Sequence, residues 1–316
     1  MTELECRMYR KFVGMKSITF LRRIYNISIY LIIVLLNSSC EKNINLTLHD
    51  APNTLVIDAS IENGKPPVVV LSKSMDYFSK ITPIELANSF VHNAEVYIST
   101  GNQTQKLKEY HVDSTGGFTI SYYTVDSANP ASAFIGIFNQ TYNLKVISEG
   151  KEYSANTTIP LLYKRPDSLW WKPKPFETDT SKVVVMVRSS DPPGLGNYVR
   201  YYTKRNREPF FPGENSVFDD EFIDGTTYQI PVEPGKDRNR GRTNSDNNFR
   251  RGDTVTLKLS NIDRYTYRFW ISMEFAYQSI GNPFASPNAV LGNISNGALG
   301  AFCGYASSTR TLIIPK

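Results

Sequence analysis

The residues whose chemistry could be put to work are few and scattered. Asp219, Asp220 and Glu221 stand together in VFDDEFIDG. A pair of carboxylates can hydrolyse a glycoside or hold calcium, but the two must converge across a groove, and neighbours along a strand point to opposite faces. This run also lacks the spaced oxygen ligands of a calcium loop, so it reads as a solvated turn before Asp224-Gly225. His49, His92 and His111 show no ligand spacing to one another, to a cysteine or to paired carboxylates, and no metal site is expected. Cys303, between an aromatic residue and a glycine in GAFCGYAS, reads as a small buried hydrophobe. The chain has no Gly-x-Ser-x-Gly elbow, no His-Glu-x-x-His pair and no phosphate loop ending in Lys-Ser or Lys-Thr. No catalytic residue and no cofactor is therefore expected, and a hydrolase ranks well below a binding role.

Recognition is the better supported chemistry. Trp170 and Trp171 lie between prolines, Tyr201 and Tyr202 are adjacent, and Phe210 and Phe211 precede Pro212-Gly213. Exposed aromatic patches mark partner and ligand surfaces, although adjacent aromatics in a sandwich usually send one ring into the core. Trp170, Trp171, Phe210 and Phe211 are the expected binding residues, for a small ligand, peptide or glycan that the sequence does not identify. One basic island, KDRNRGRTNSDNNFRR at residues 236–251, sets six cations against two aspartates and reads as a solvated loop. RRGD at residues 250–253 reads as a turn feeding a strand.

What presents these residues begins with an address. Residues 27–36 form an apolar run half as long as the roughly twenty residues a helix needs to cross a bilayer core. Lys16, Arg22 and Arg23 precede it and small residues follow, the order of a secretory signal, with Met15 as the expected start. The run ends at Ser38-Ser39-Cys40 and resembles a bacterial lipoprotein signal, in which the cysteine is acylated on sulfur, for instance with palmitate, and becomes the new N-terminus. Asn37 departs from the leucine more usual there. Such an anchor adds about 0.8 kcal/mol per buried methylene, enough for several acyl chains to hold a soluble body on a membrane. Removing residues 1–39 takes six of the 35 Lys and Arg and two of the 30 Asp and Glu, leaving 29 against 28. A nucleic-acid binder needs a concentrated basic footprint, so that function is excluded. Cys303 is then the one cysteine of the folded body, no intramolecular disulfide can form, and the body must be held by its apolar core.

The elements alternate with period two. TLVIDASI, ENGKPP and VVVLS read as strand, turn and strand; AEVYIST and QKLKEY flank GNQ as a hairpin; and TYNLKVISEGKEYSANTTIP is two strands joined at EGK. ITPIELANSF predicts a turn or two of helix. Residues 52–162 thus carry the strand count of an immunoglobulin-like β-sandwich. The proline-rich YKRPDSLWWKPKPFETD breaks the alternation and marks the expected domain boundary. Residues 163–316 form a second β-rich domain, sandwich or barrel-like, with strands in KVVVMVRSS, NYVRYYTKR, GDTVTLKLSNI and STRTLIIP. RYTYRFWISMEFAY fits either a strand or a helical face. The expected layout is a signal peptide at 1–39, a lipidated tether at 40–51, a sandwich at 52–162 and the second domain at 163–316, an all-β fold with minor helix.

NSSCEKNINL, LVIDASIENGKPPVVVLSKSMDYFS, NAEVYIS, TYNLKVISEGKEYSANTTIP, DPPGLGNYVRYY and NPFASPNAVLGNISNGALGAFCGYAS together, in that order, resemble a Bacteroidota lipoprotein family catalogued as domain of unknown function 4249. The resemblance runs over nearly all of residues 40–316. It implies a lipid-anchored outer-membrane protein of the cell envelope, encoded beside a TonB-dependent receptor and acting as a binding or accessory component in nutrient uptake. An envelope structural or adhesive lipoprotein that binds glycan or protein is the alternative. The family supplies no accepted catalytic residues to carry over. EKNIN after Cys40 lacks the acidic run that resembles a surface-export signal, which leaves the periplasmic and surface-facing leaflets both open.

Overall fold

A computed structural model describes residues 53–75, 82–114, 117–128, 134–238, 248–280 and 289–316. The signal, Cys40 and the tether lie outside the described residues, as do residues 239–247 of the basic island. Among the described residues no helix is long and apolar enough to cross a membrane.

The alternation becomes strands, except that QKLKEY is divided: residues 105–106 end the strand that pairs with AEVYIST, and residues 108–110 begin a strand of a different sheet. β1 (Leu55–Glu62) buries Leu55, Ile57, Ala59 and Ile61 and turns Val56, Asp58, Ser60 and Glu62 the other way. β2 (Val68–Lys73) returns antiparallel, with Val70 opposite Asp58. α1 (Pro83–Ser89) is the short helix expected there, started by a capping box in which Thr82 accepts from the Glu85 N–H and the Glu85 carboxylate accepts from the Thr82 N–H. β3 (Glu95–Thr100) and β4 (Gln103–Lys106) form a hairpin, as do β7 (Gln140–Ser148) and β8 (Lys151–Ile159). The β7–β8 turn places Glu149 and Gly150 at φ 51° and 76°, the left-handed pair that a two-residue hairpin loop needs. These four make a sheet ordered β4-β3-β7-β8.

The remaining strands are β5 (Lys108–Asp113), β6 (Thr119–Thr124), β9 (Ser168–Pro173), β10 (Lys182–Ser190), β11 (Tyr198–Arg205), β12 (Phe211–Phe218), β13 (Thr227–Val232), β14 (Phe249–Arg250), β15 (Thr254–Ile262) and β16 (Leu299–Ile313). β10 joins β9, β13 and β14 in a second four-stranded sheet. The other eight strands form one large sheet, β12-β11-β15-β16-β1-β2-β6-β5, and among the described residues no sheet closes into a barrel. The fold is all-β and sandwich-like, as expected.

The expected division at residue 163 is not matched by a break. Residues 51–316 form one compact unit. β16, the last strand, lies between β1 in parallel and β15 in antiparallel, so the large sheet runs through both halves. The proline-rich segment is a welded crossing. Lys164 donates its N–H to Asn261 on β15 at 2.8 Å and accepts from the Asn261 amide at 2.7 Å. Proline removes donors and breaks alternation, which is what a linker looks like in sequence, but here side chains supply the missing partners.

Both small sheets cover the same face of the large one. Ile57, Ile61, Val69, Tyr123 and Phe302 pack against Val96, Ile98, Tyr142 and Leu144 of the β4-β3-β7-β8 sheet. Val255, Leu257 and Ile314 pack against Val183, Val185 and Phe249 of the other. β16 is therefore buried on both sides from Ala301 to Ala306. Glycine makes that possible: a Cβ on Gly300 would stand 2.1 Å from the Ile57 carbonyl oxygen, and one on Gly304 2.5 Å from that of Thr158. The backbone that these glycines admit belongs to the chain itself.

The opposite face carries α2 (Arg264–Ser279), which resolves the ambiguous aromatic segment as helix. Asp263 caps it, accepting from the Thr266 N–H at 2.7 Å, and its second carboxylate oxygen accepts from the Thr158 N–H at 3.2 Å. Phe269, Trp270 and Met273 then fall on one side and pack with Ala301, Cys303, Tyr305, Val217 and Ile262.

Candidate functional site

α2 covers only part of its face of the large sheet, and the uncovered part is lined with charge and aromatic rings. Alternation along β1 puts Asp58, Ser60 and Glu62 there, and sheet register aligns Ala301, Cys303 and Tyr305 of β16 beside them. β15 adds Ser260 and Lys258, and β11 adds Arg200 and Tyr202 opposite those two. The DPPGLGNYVRYY segment thus delivers an arginine and a tyrosine to the same face.

Arg200, Lys258 and Glu62 are held by fixed contacts. The Arg200 guanidinium sits 3.3 Å from the Trp270 ring centroid and 4.9 Å from that of Tyr202, and its Nε donates to Ser216 Oγ at 3.1 Å. Cation–π contact of this kind is worth up to about 2 kcal/mol where water is excluded. The Ser216 N–H in turn donates to the buried Glu274 carboxylate at 3.0 Å, and Arg238 pairs with Glu274 at 3.6 Å. Trp270 Nε1 donates to the Tyr305 hydroxyl at 2.8 Å. Lys258 lies 4.4 Å from the Tyr202 ring centroid and 5.2 Å from that of Phe210, and it pairs with Glu62 at 3.5 Å.

Burial perturbs two of the charged groups on this face. Asp58 has an exposed side chain, yet its surroundings desolvate it and raise its pKa, with the Arg200 charge opposing. Burial likewise lowers the Lys258 ammonium pKa, opposed by Glu62. Both groups are held where the charged form is disfavoured, the usual condition of a recognition or reaction site. The thiol on this face is inert: burial pushes Cys303 up to about 12, so it stays protonated.

The four aromatic residues singled out in sequence separate. Phe210 borders this face through Lys258 and Lys204, 5.9 Å from its centroid. Phe211 opens β12, opposite Thr203. Trp170 and Trp171 lie in strand β9 of the second small sheet; Trp171 packs on that core under Arg251, 4.7 Å from its centroid, and Trp170 faces the other way. They are strand residues, not loop residues.

Two further clusters were misread in sequence. Asp220 is buried rather than solvated, accepting from the Gly196 and Asn197 N–H groups at 3.0 and 2.9 Å. It converges with Asp191 and Asp224, and the wholly buried Lys164 pairs with Asp191 as a resident cation for the group. Burial lowers the Lys164 pKa, while Asp220, Asp219 and Asp224 raise it. The histidines do not all stand alone: His92, His111 and Glu109 present ligand atoms within 4.8 Å of one another. Glu109 and His111 are two apart on β5, so they share a face. That spacing was readable; the approach of His92 was not. Of the basic island, Lys236 pairs with Glu214, Arg238 with Glu274 and Arg250 with Asp179. RRGD is the turn expected, the Arg250 N–H donating to Asp253 at 2.8 Å. A small cleft of about 240 Å³ near Thr54 is crossed by the Lys73–Glu149 ion pair.

Residues 41–311 match the family described as Domain of unknown function (DUF4249). No curated protein matches the chain.

Proposed function

Since the chain belongs to the DUF4249 family, we propose that it is a lipid-anchored outer-membrane protein whose α2-side face binds a ligand or partner, as an accessory to a TonB-dependent receptor in nutrient uptake. The observation that carries the binding reading is the line of Asp58, Glu62, Lys258, Arg200 and Tyr202 on a sheet face that α2 leaves partly open. A sheet face with no binding duty needs neither a desolvated carboxylate nor a desolvated ammonium there, because each costs free energy that packing does not return. Fixed charges of both signs between aromatic walls suit a polar ligand or a protein surface. Catalysis is disfavoured by the inert Cys303, by the pairing of Lys258 with Glu62 and by the packing of Arg200 on Trp270. Phe210 supplies the aromatic edge of the face, and Trp170 is a separate outward ring to be tested by itself. The lipid anchor and the receptor rest on the Ser38-Ser39-Cys40 signal and on what the family resemblance implies.

Affinity recovery of the intact protein from native membranes tests this. A large receptor recovered in stoichiometric amount is expected, and Asp58→Asn with Lys258→Gln should weaken its retention about 30-fold, as loss of one anchoring contact of about 2 kcal/mol does. Consistent absence of the receptor, or full retention by the variant, contradicts the reading. The adhesive alternative draws on the outer side of α2, where Tyr265, Ile271 and Phe275 are exposed. Recovery of a different envelope protein or glycan would favour it.

A further inference from the structure

We propose that His92, Glu109 and His111 form a binding site for a divalent transition-metal ion of the zinc class. The group lies on the edge strand β5, on the face opposite α2, and is independent of the binding reading above. Two imidazoles and one carboxylate are the donor set of three-ligand zinc sites, which leave a fourth position open. The sheet builds it: β5 projects Glu109 and His111 to one side, and its register with β6 sets Ser121 opposite His111 and Tyr123 opposite Glu109. Asn93, at φ 58°, turns the chain so that His92 reaches the same place.

Second contacts orient all three donors. The Asn93 N–H donates to one Glu109 oxygen at 2.9 Å, while the other lies 2.7 Å from His92 Nδ1. The buried Ser121 hydroxyl contacts His111 Nδ1 at 2.8 Å and His92 Nδ1 at 3.3 Å. Hydrogen bonds fixing ring orientation are the usual outer support of a metal-bound histidine. The imidazole rings are 5.8 Å apart between centroids. His92 and His111 are both exposed, so small side-chain rotations bring three donors to the roughly 2.0–2.2 Å that zinc requires. The open position faces solvent, which suits reversible capture.

Isothermal titration of zinc chloride into the full chain, solubilised in detergent and free of any polyhistidine tag, tests the site. One zinc per chain is expected, with cobalt in its place giving the visible absorption of a four-coordinate ion. His92→Ala with His111→Ala should abolish the binding while the β-sheet circular dichroism is retained. Ser121→Ala, which touches no metal, should weaken it by about 10-fold. No zinc heat from the wild type, or wild-type stoichiometry and affinity in the double histidine variant, overturns the proposal.

Discussion

Lys164→Met should destabilise the whole protein, not one half of it. The Lys164 and Asp191 side chains are both wholly inaccessible, and the ammonium stands among Asp191, Asp220 and Asp224. Removing one partner of a buried pair leaves the other charge uncompensated, which costs about 3–5 kcal/mol. That is a large share of the 5–15 kcal/mol by which domains are usually stable. At about 2–4 °C per kcal/mol for a body of this size, the midpoint falls by about 10 °C. Lys164→Met with Asp191→Asn should recover part of the loss, since the asparagine keeps an oxygen for the Gly225 N–H that Asp191 accepts at 3.2 Å, and the coupling should be about 1–3 kcal/mol. Denaturant unfolding followed by tryptophan fluorescence and by far-ultraviolet circular dichroism reads both quantities. A single transition that shifts in both signals is expected. A loss below about 1 kcal/mol, a strictly additive double variant, or two separate transitions would refute the view of this segment as a weld.

Other outcomes follow from the same structure. Cys40→Ala should release the protein from the membrane fraction or block its processing; normal cleavage and retention in the variant would contradict the lipoprotein reading. Asp58→Asn should stabilise the protein at neutral pH. Because the folded pKa lies above 3.8, the folded chain keeps a proton that the unfolded chain has lost, so stability falls as pH rises from about 3.8 through the raised value, and stays lower above it. The advantage of the variant should vanish below pH 3.8 in denaturant titrations across pH; an advantage that grows on acidification refutes the assignment. Trp171→Ala should cost about 3 kcal/mol in unfolding, the low end for a large ring because Trp171 is only half-buried, whereas Trp170→Ala should leave the fold intact.

Local pairings were legible in sequence because each is fixed by a few adjacent residues: alternation plus Glu149-Gly150 specifies β7–β8 without reference to the rest of the chain. The parallel pairing of β1 with β16 was not legible, since nothing local in LVIDASIE names a partner some 240 residues away. The aromatic segment at 264–279 was ambiguous because Tyr, Phe and Trp favour strands while their spacing also fits a helix. Asp263 followed by Thr266 was the capping signal that could have decided it. The sites failed for the same reason as the long pairing. Asp58, Ser60 and Glu62 were visible as the polar side of a strand, and Glu109-x-His111 as a same-face pair, but their meeting with Arg200, Lys258 and His92 is made by topology. Lys164 and Asp220 misled because charge in a proline- or acid-rich stretch reads as solvated until a partner buries it.

The central claim is that recognition occurs on the α2-side face of the large sheet, and site-specific photo-crosslinking in native membranes tests it most directly. A photo-reactive amino acid at Val70, beside Asp58 on that face, should capture the receptor or other partner. The same group at Lys145, exposed on the outer side of the β4-β3-β7-β8 sheet, should capture nothing above background. Crosslinking from Lys145 and none from Val70 would contradict the account.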